Sequence, residues 1–346
     1  MSMHSSGKYW LLLCGLAALV VATIVVSAGM GYVGITPGDV ALVVWAKLSG
    51  SPALLEGMDR VAPFVIMDVR LPRILTATLV GAGLAMSGVI YQGILLNPLA
   101  DPYTLGISSG AAFGASLALL ANLTLLGTFS VPLFAFVGAV ATLFVVLYLS
   151  TFNGQMSANT LILSGVIVGA ILAAGISFLK YLADEQVAVI IFWLMGSFAS
   201  RSWHDVLLVA IALAFGLLVA LYYARDLNIM SLGGRSSDSL GVETKRVRIT
   251  LLVSASLVTA ICVSVSGIIG FIGLIVPHLM RFLVGPDNRK LLPVSILAGA
   301  GLLLVADTFT RAVLPAEVPI GVLTALIGGP FFCVIFRKRQ QGLKYG

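Results

Sequence analysis

Again and again along these 346 residues an apolar run continues for about the length a helix needs to cross a hydrocarbon layer. A bilayer core ~30 Å thick takes about 20 residues of helix. Inside it every backbone polar group must be satisfied within the protein, which leaves helices or closed barrels. Runs of this length exceed a barrel strand, so the sequence predicts an all-α polytopic membrane protein, one transmembrane domain over residues 1–346. Charge supports this: only 10% of residues are charged and 59% are apolar, against roughly 25% charged in a soluble domain.

Ten spans are predicted, at about 9–33, 71–93, 104–126, 130–150, 159–182, 204–224, 247–267, 270–284, 291–310 and 318–336. The first follows Lys8 and is too long for the apolar part of a secretory leader, so it reads as a retained helix, with a cleaved leader as the alternative. The seventh and eighth form one long run that must bend near Gly270-Phe271-Ile272-Gly273 for later polar segments to alternate sides. Most of the 20 lysines and arginines fall in segments that share a side with both termini, which predicts a multi-pass protein of the cell inner membrane with both ends cytoplasmic. The net charge of +6 is then an orientation signal towards anionic lipid, and nothing supports a nucleic-acid partner. Ser87-Gly88-Val89-Ile90 with Pro98 recurs as Ser266-Gly267-Ile268-Ile269 with Pro277, a weak inverted repeat of the kind transporters carry.

Ionisable groups at membrane depth are the first functional suspects, and few are available. Asp307 and Arg311, four residues apart, read as a local ion pair at a helix end. His278 reads as a packed structural residue; His4 and His204 lie at a tail and an interface, so no metal site is expected. Cys14, Cys262 and Cys333 sit apart in apolar runs as packing residues. Motifs for nucleotide hydrolysis or proteolysis are missing, so the chain reads as a non-enzyme without a cofactor of its own, and active transport would draw energy from a partner. An ion-coupled secondary transporter is the alternative; it would need a carboxylate site at mid-depth, which the spans do not offer.

Longer motifs narrow the field. Arg70-Leu71-Pro72-Arg73, then Asn97-Pro98-Leu99-Ala100-Asp101-Pro102 and Leu105-Gly106-Ile107-Ser108-Ser109-Gly110-Ala111, resemble the opening half of the FecCD permeases, which import iron-siderophore, haem or vitamin B12. Gly270 to Arg281, with Pro277-His278, and Pro319-Ile320-Gly321-Val322 resemble the closing half. The resemblance implies a type II importer fold of ten helices and a homodimer with its path on the two-fold axis. It also implies two cytoplasmic ATPase subunits and a periplasmic or lipid-anchored substrate-binding protein. The cargo would be a ferric siderophore, haem or cobalamin.

Residue roles follow from the resemblance. Arg70, Arg73 and Arg311 match positions where relatives receive carboxylates of the binding protein; interfacial snorkelling is the alternative. The polar loop 225–248, with Leu232, Gly233, Arg235, Ser239, Leu240 and Gly241, resembles the pair of short helices that rest on the ATPase. There Leu240 and Val242 offer an apolar docking point; a merely solvated loop is the alternative. Asn97, Leu99, Ala158 and Asn159 match the cytoplasmic gate, and Ser164, Gly165 and Gly169 the path. Small residues there suit tight helix packing equally well.

Overall fold

The computed structural model describes residues 6–31, 34–59, 61–123, 127–152, 155–313 and 317–344. His4 and Arg60 lie outside them, as do the side chains of Arg235, Lys338, Arg339 and Lys344.

Helices dominate. In chain order they are α1 (Ser6–Gly29), α2 (Pro37–Ser49), α3 (Val61–Phe64), α4 (Leu71–Ile94), α5 (Ile107–Leu120), α6 (Ser130–Ser150), α7 (Ala158–Leu182), α8 (Val187–Leu194), α9 (Trp203–Tyr222), α10 (Ala224–Met230), α11 (Gly234–Ser239), α12 (Thr244–Ser266), α13 (Ile272–Val284), α14 (Asn288–Ala312) and α15 (Ile320–Lys344). A two-residue antiparallel pairing, Thr151–Phe152 with Gln155–Met156, turns the chain between α6 and α7.

Among the described residues seven helical segments are long and apolar enough to cross a membrane, and the stretches 107–120, 272–284 and 320–334 are shorter apolar helices. All ten expected segments therefore appear as apolar helices. The third is shorter than expected because Pro102 to Leu105 form a tight turn, capped by the Asp101 side chain, and Gly106 takes a left-handed φ of 73° before α5 starts. Residues 124–126, at the expected end of that span, and 32–33, at the end of the first, lie outside the described ones.

At the expected bend the chain leaves helical geometry between Ser266 and Ile272, with Phe271 left-handed at φ 69°. The backbone groups released there find new partners. Ser197 N–H donates to Ser266 O at 2.8 Å, and Tyr103 O–H to Ile269 O at 2.6 Å. Arg201 donates to Val265 O. The two copies of the sequence repeat lie in different local geometry: Ser87 to Ile90 continue inside α4, whereas Ser266 ends α12 and Gly267 to Ile269 lie in the break.

Among the seven long helices the best-buried are α4, α12 and α14. Where α4 and α14 cross, Gly81 and Gly299 bring the two backbones into direct contact, and a Cβ on Gly81 would stand 2.8 Å from Leu303 Cβ. Small residues permit this approach, which gives dispersion contact where the hydrophobic effect gives none.

Candidate functional site

Arg70, Arg73 and Arg311 meet at one end of the α4–α14 pair. Arg73 grips Asp307 with Nε and Nη2, at 2.9–3.2 Å, and also pairs with the exposed Glu317. Arg73 and Asp307 are 9% and 1% exposed, so the forked guanidinium–carboxylate pair is largely desolvated. Arg70 donates to Ala28 O at 2.7 Å and Gly29 O at 3.1 Å. Arg311 donates to Met30 O at 2.6 Å and to Ser27 O and Oγ at 2.9 and 3.0 Å. Together they fasten the end of α1 to α4 and α14.

The expected local pair of Asp307 with Arg311 does not form. Asp307 lies where α14 meets α4, so Arg73, 234 residues away in sequence, takes the carboxylate, and Arg311 turns to the carbonyls at the end of α1. Arg73 meets both carboxylate oxygens with its guanidinium fork, while the donors of Arg311 are taken up by Met30 and Ser27.

At the opposite end of the bundle the polar loop folds into two short helices, α10 and α11. Ser237 Oγ–H joins them, with Ile229 O at 2.9 Å and Gly233 O at 2.7 Å. Thr244 Oγ1 donates to Asp238 at 2.8 Å and ties α11 to the start of α12. Gly233 and Gly241 supply the left-handed turns on either side. Leu232 and Leu240 project outward, 63% and 60% exposed, while Ser239 flanks Leu240 on the exposed side. Val242, expected to face outward with Leu240, is instead buried in the core, 8% exposed, which leaves Leu232 and Leu240 as the outward apolar pair.

At the expected gate, Asn97 Oδ1 accepts from Leu99 N–H at 3.0 Å and both residues are half-buried. Ala158 begins α7 after a capping box of Ser157 and Thr160, and Asn159 is exposed. Ser164 is buried at 7% exposure. Gly165 presses on the Thr104-Leu105 backbone, and Gly169 lies beside Gly106, 3.9 Å from its Cα to a Cβ built at 169. Gly165 thus allows close packing of α7 on the turn before α5, whereas a side chain at 169 would meet only ordinary contacts.

His278 packs edge-on against Phe282 at 5.0 Å. Among the described residues no group of histidine, cysteine or carboxylate side chains could hold a metal, and Cys14, Cys262 and Cys333 are free thiols. Sequence reading missed Glu317 as a second partner of Arg73, and it missed Asn228. The Asn228 side chain bonds both Asp287 and Asn288 across the α10–α14 junction. Neither residue lies in a recurring pattern that would have marked it.

Comparison with known proteins agrees with this architecture. The chain is 42% identical over 339 residues, 97% of itself and 98% of the relative, to the molybdate import system permease protein MolB of Haemophilus influenzae. It is 44% identical over 285 residues, 82% of itself and 76% of the relative, to the cobalamin import system permease protein BtuC of Halobacterium salinarum. Among solved structures it matches a metal-chelate type ABC transporter in an inward-facing conformation, at TM-score 0.81 and 38% identity, covering 94% of this chain and 98% of that one. The FecCD transport family model matches residues 11–338, and this chain belongs to that family of ABC-transporter membrane permeases.

Proposed function

We propose that the chain is the membrane subunit of an ATP-driven importer for a metal chelate (a ferric siderophore or haem) or for cobalamin. It works as a homodimer with two cytoplasmic ATPase subunits and a periplasmic or lipid-anchored binding protein. The observation that carries this reading is the α10–α11 pair, which presents Leu232 and Leu240 outward at the end of the bundle opposite the arginine cluster. An apolar docking knob at one end and a charged cluster at the other suit a protein that takes force on one face and cargo on the other. All ten apolar helices cross the membrane, both termini and α10–α11 are cytoplasmic, and the arginine cluster faces outward.

Relatives named for molybdate and for cobalamin share this framework, which fits a path that does little of the selecting. Asp307, buried at 1% exposure, is neutralised by Arg73, and the partly buried Asp101 is taken up as the cap of the 102–105 turn by the N–H groups of Tyr103 and Thr104. That disfavours the ion-coupled alternative, which needs a carboxylate free to take up its ion.

In this reading Arg70, Arg73 and Arg311 underlie the docking face, and Glu317 holds the place that a carboxylate of the binding protein takes over. Arg311→Glu weakens docking, and Glu317→Gln tightens it by removing the competitor. Asn97, Leu99, Ala158 and Asn159 form the gate, and Ser164, Gly165 and Gly169 border the path.

The test is uptake into proteoliposomes with the partner ATPase and binding protein, offering ferric siderophore, haem, cobalamin and molybdate in parallel. Uptake requiring all three proteins and ATP is expected. Uptake by this chain alone, driven by an ion gradient, would overturn the proposal. Leu240→Asp abolishes assembly with the ATPase, checked by size-exclusion chromatography of the mixed subunits.

A further inference from the structure

Resting on that reading of α10–α11, the network around Asn228 identifies a further residue on which transport depends. α10 is seven residues long, too short to hold helical shape without tertiary partners. Its own anchors lie on α4 and α14. Leu227, 1% exposed, fills the space beside Gly93, where a Cβ would meet Leu227 Cδ1 at 2.8 Å. The Asn228 side chain does the rest. Its amide nitrogen donates to Asp287 Oδ1 at 2.7 Å, and its Oδ1 accepts from the backbone N–H and the Nδ2 of Asn288, each at 2.8 Å. Both acceptor positions of the amide oxygen and one of its two donors are thus used. Asp287 is also the N-cap of α14, accepting from Arg289 N–H at 3.0 Å, and Asn288 is buried at 6% exposure. Asn228 therefore bonds to the root of α14, where it can move only if the helix moves.

α14 carries that connection across the bundle. From Asn288 to Asp307 is about 28 Å of helix at 1.5 Å per residue. At the far end Asp307 binds Arg73 of α4, and midway Gly81 and Gly299 lock the two helices backbone to backbone. α4 and α14 are thus joined at that end and in the middle, and at the other end α10 bridges them, with Leu227 on Gly93 and Asn228 on the root of α14, so the pair forms one body.

We propose that Asn228 is a positioning residue that fastens the ATPase-contacting helices to the α4–α14 body. Movement of the ATPase is thereby delivered to the arginine cluster at the opposite face. The residue touches neither nucleotide nor cargo. It acts by keeping α10 and the root of α14 in register.

The experiment compares wild type, Asn228→Ala and Asn288→Ala, each assembled with partner ATPase and binding protein. Complex formation, basal ATP hydrolysis, stimulation of hydrolysis by the loaded binding protein, and ATP spent per cargo molecule are all measured. For Asn228→Ala the expected result is normal assembly and basal hydrolysis, with stimulation reduced about fivefold or more, the lower range of typical coupling between distant sites. Asn288→Ala keeps the backbone N–H and the Asp287 bond and shows a smaller loss in the same direction. It decides the question if Asn228→Ala does not fold. Unchanged stimulation and unchanged ATP per cargo in a folded variant would overturn the proposal. Leu240→Asp separates the two readings. If it assembles and transports normally, the docking role of α10–α11 fails; if it blocks assembly while Asn228→Ala stays fully coupled, only the fastening role fails.

Discussion

The α4–α14 body is less apolar than the outlying helices α6, α7 and α9, yet the protein covers far more of its surface. In the segment containing α4, 83% of the most apolar window is buried, and in α14 56%; in α6, α7 and α9 the shares are 33%, 28% and 22%. The buried pair carries the polar bonds: Arg73 with Asp307, and Ser27 of α1 with Thr308 at 2.7 Å. The outlying helices instead turn large side chains such as Ile171, Phe178 and Leu218 outward, each more than 60% exposed. Lipid is as apolar as leucine, so burial alone does not draw helices together in a membrane. Helices become a fixed body where they are bonded or brought backbone to backbone; α6 and α7 have such contacts on one face only, Gly138 against Gly110 and Gly165 against Thr104, and their other faces are available to lipid or to a second copy of the chain.

Three substitutions would break or sharpen that contrast. The largest effect is expected from Asp307→Ala, which strands the Arg73 guanidinium with only the exposed Glu317. Removing one member of a buried pair costs about 3–5 kcal/mol, read as a drop in thermal stability of the detergent-purified protein. Replacing Arg73 and Asp307 together by leucine should cost less than the single change, because no charge is left buried. An equal or larger loss in the double variant would show that the pair itself, rather than its neutrality, holds α4 to α14.

Next comes Gly299→Ala, whose Cβ would stand 2.5 Å from that of Ala85; overpacking of this kind costs about 1–3 kcal/mol. Two residues along the same helix, Gly301 has only Val20 nearby at 3.5 Å, so Gly301→Ala should be close to neutral. Equal stabilities for the two alanine variants would remove the backbone contact from the account.

The smallest effect belongs to Leu218→Ala on α9, where the side chain is 71% exposed. A change within about 0.5 kcal/mol is expected for an exposed site. A larger loss confined to the dimeric species would mark α9 as part of a subunit interface.

The ten apolar segments and the break after Ser266 were legible in the sequence because length and glycine spacing report directly on crossing and bending. The α10–α11 pair was legible through the resemblance of the polar loop 225–248 to a pair of short helices, which its turn glycines and capping serines suit. The pairing of Asp307 was not, since helix periodicity reveals only neighbours three or four residues away and the true partner lies on another helix. Val242 was misplaced for a related reason: two apolar residues two apart say nothing about which of them faces inward once the helix has ended. Asn228 gave no signal because an asparagine in a polar loop is unremarkable until its neighbours in space are known.

The break between α12 and α13 also bears on the order in which the chain is made. Carbonyls freed from a helix in hydrocarbon must find donors in protein. Those of Val265, Ser266 and Ile269 take theirs from Arg201, Ser197 and Tyr103. All three donors precede the break in sequence, so a chain emerging from the ribosome has already synthesised them when α12 arrives. The break in the second half of this protein is thus completed by donors that the first half supplies, and a second half made alone would leave those three carbonyls without them.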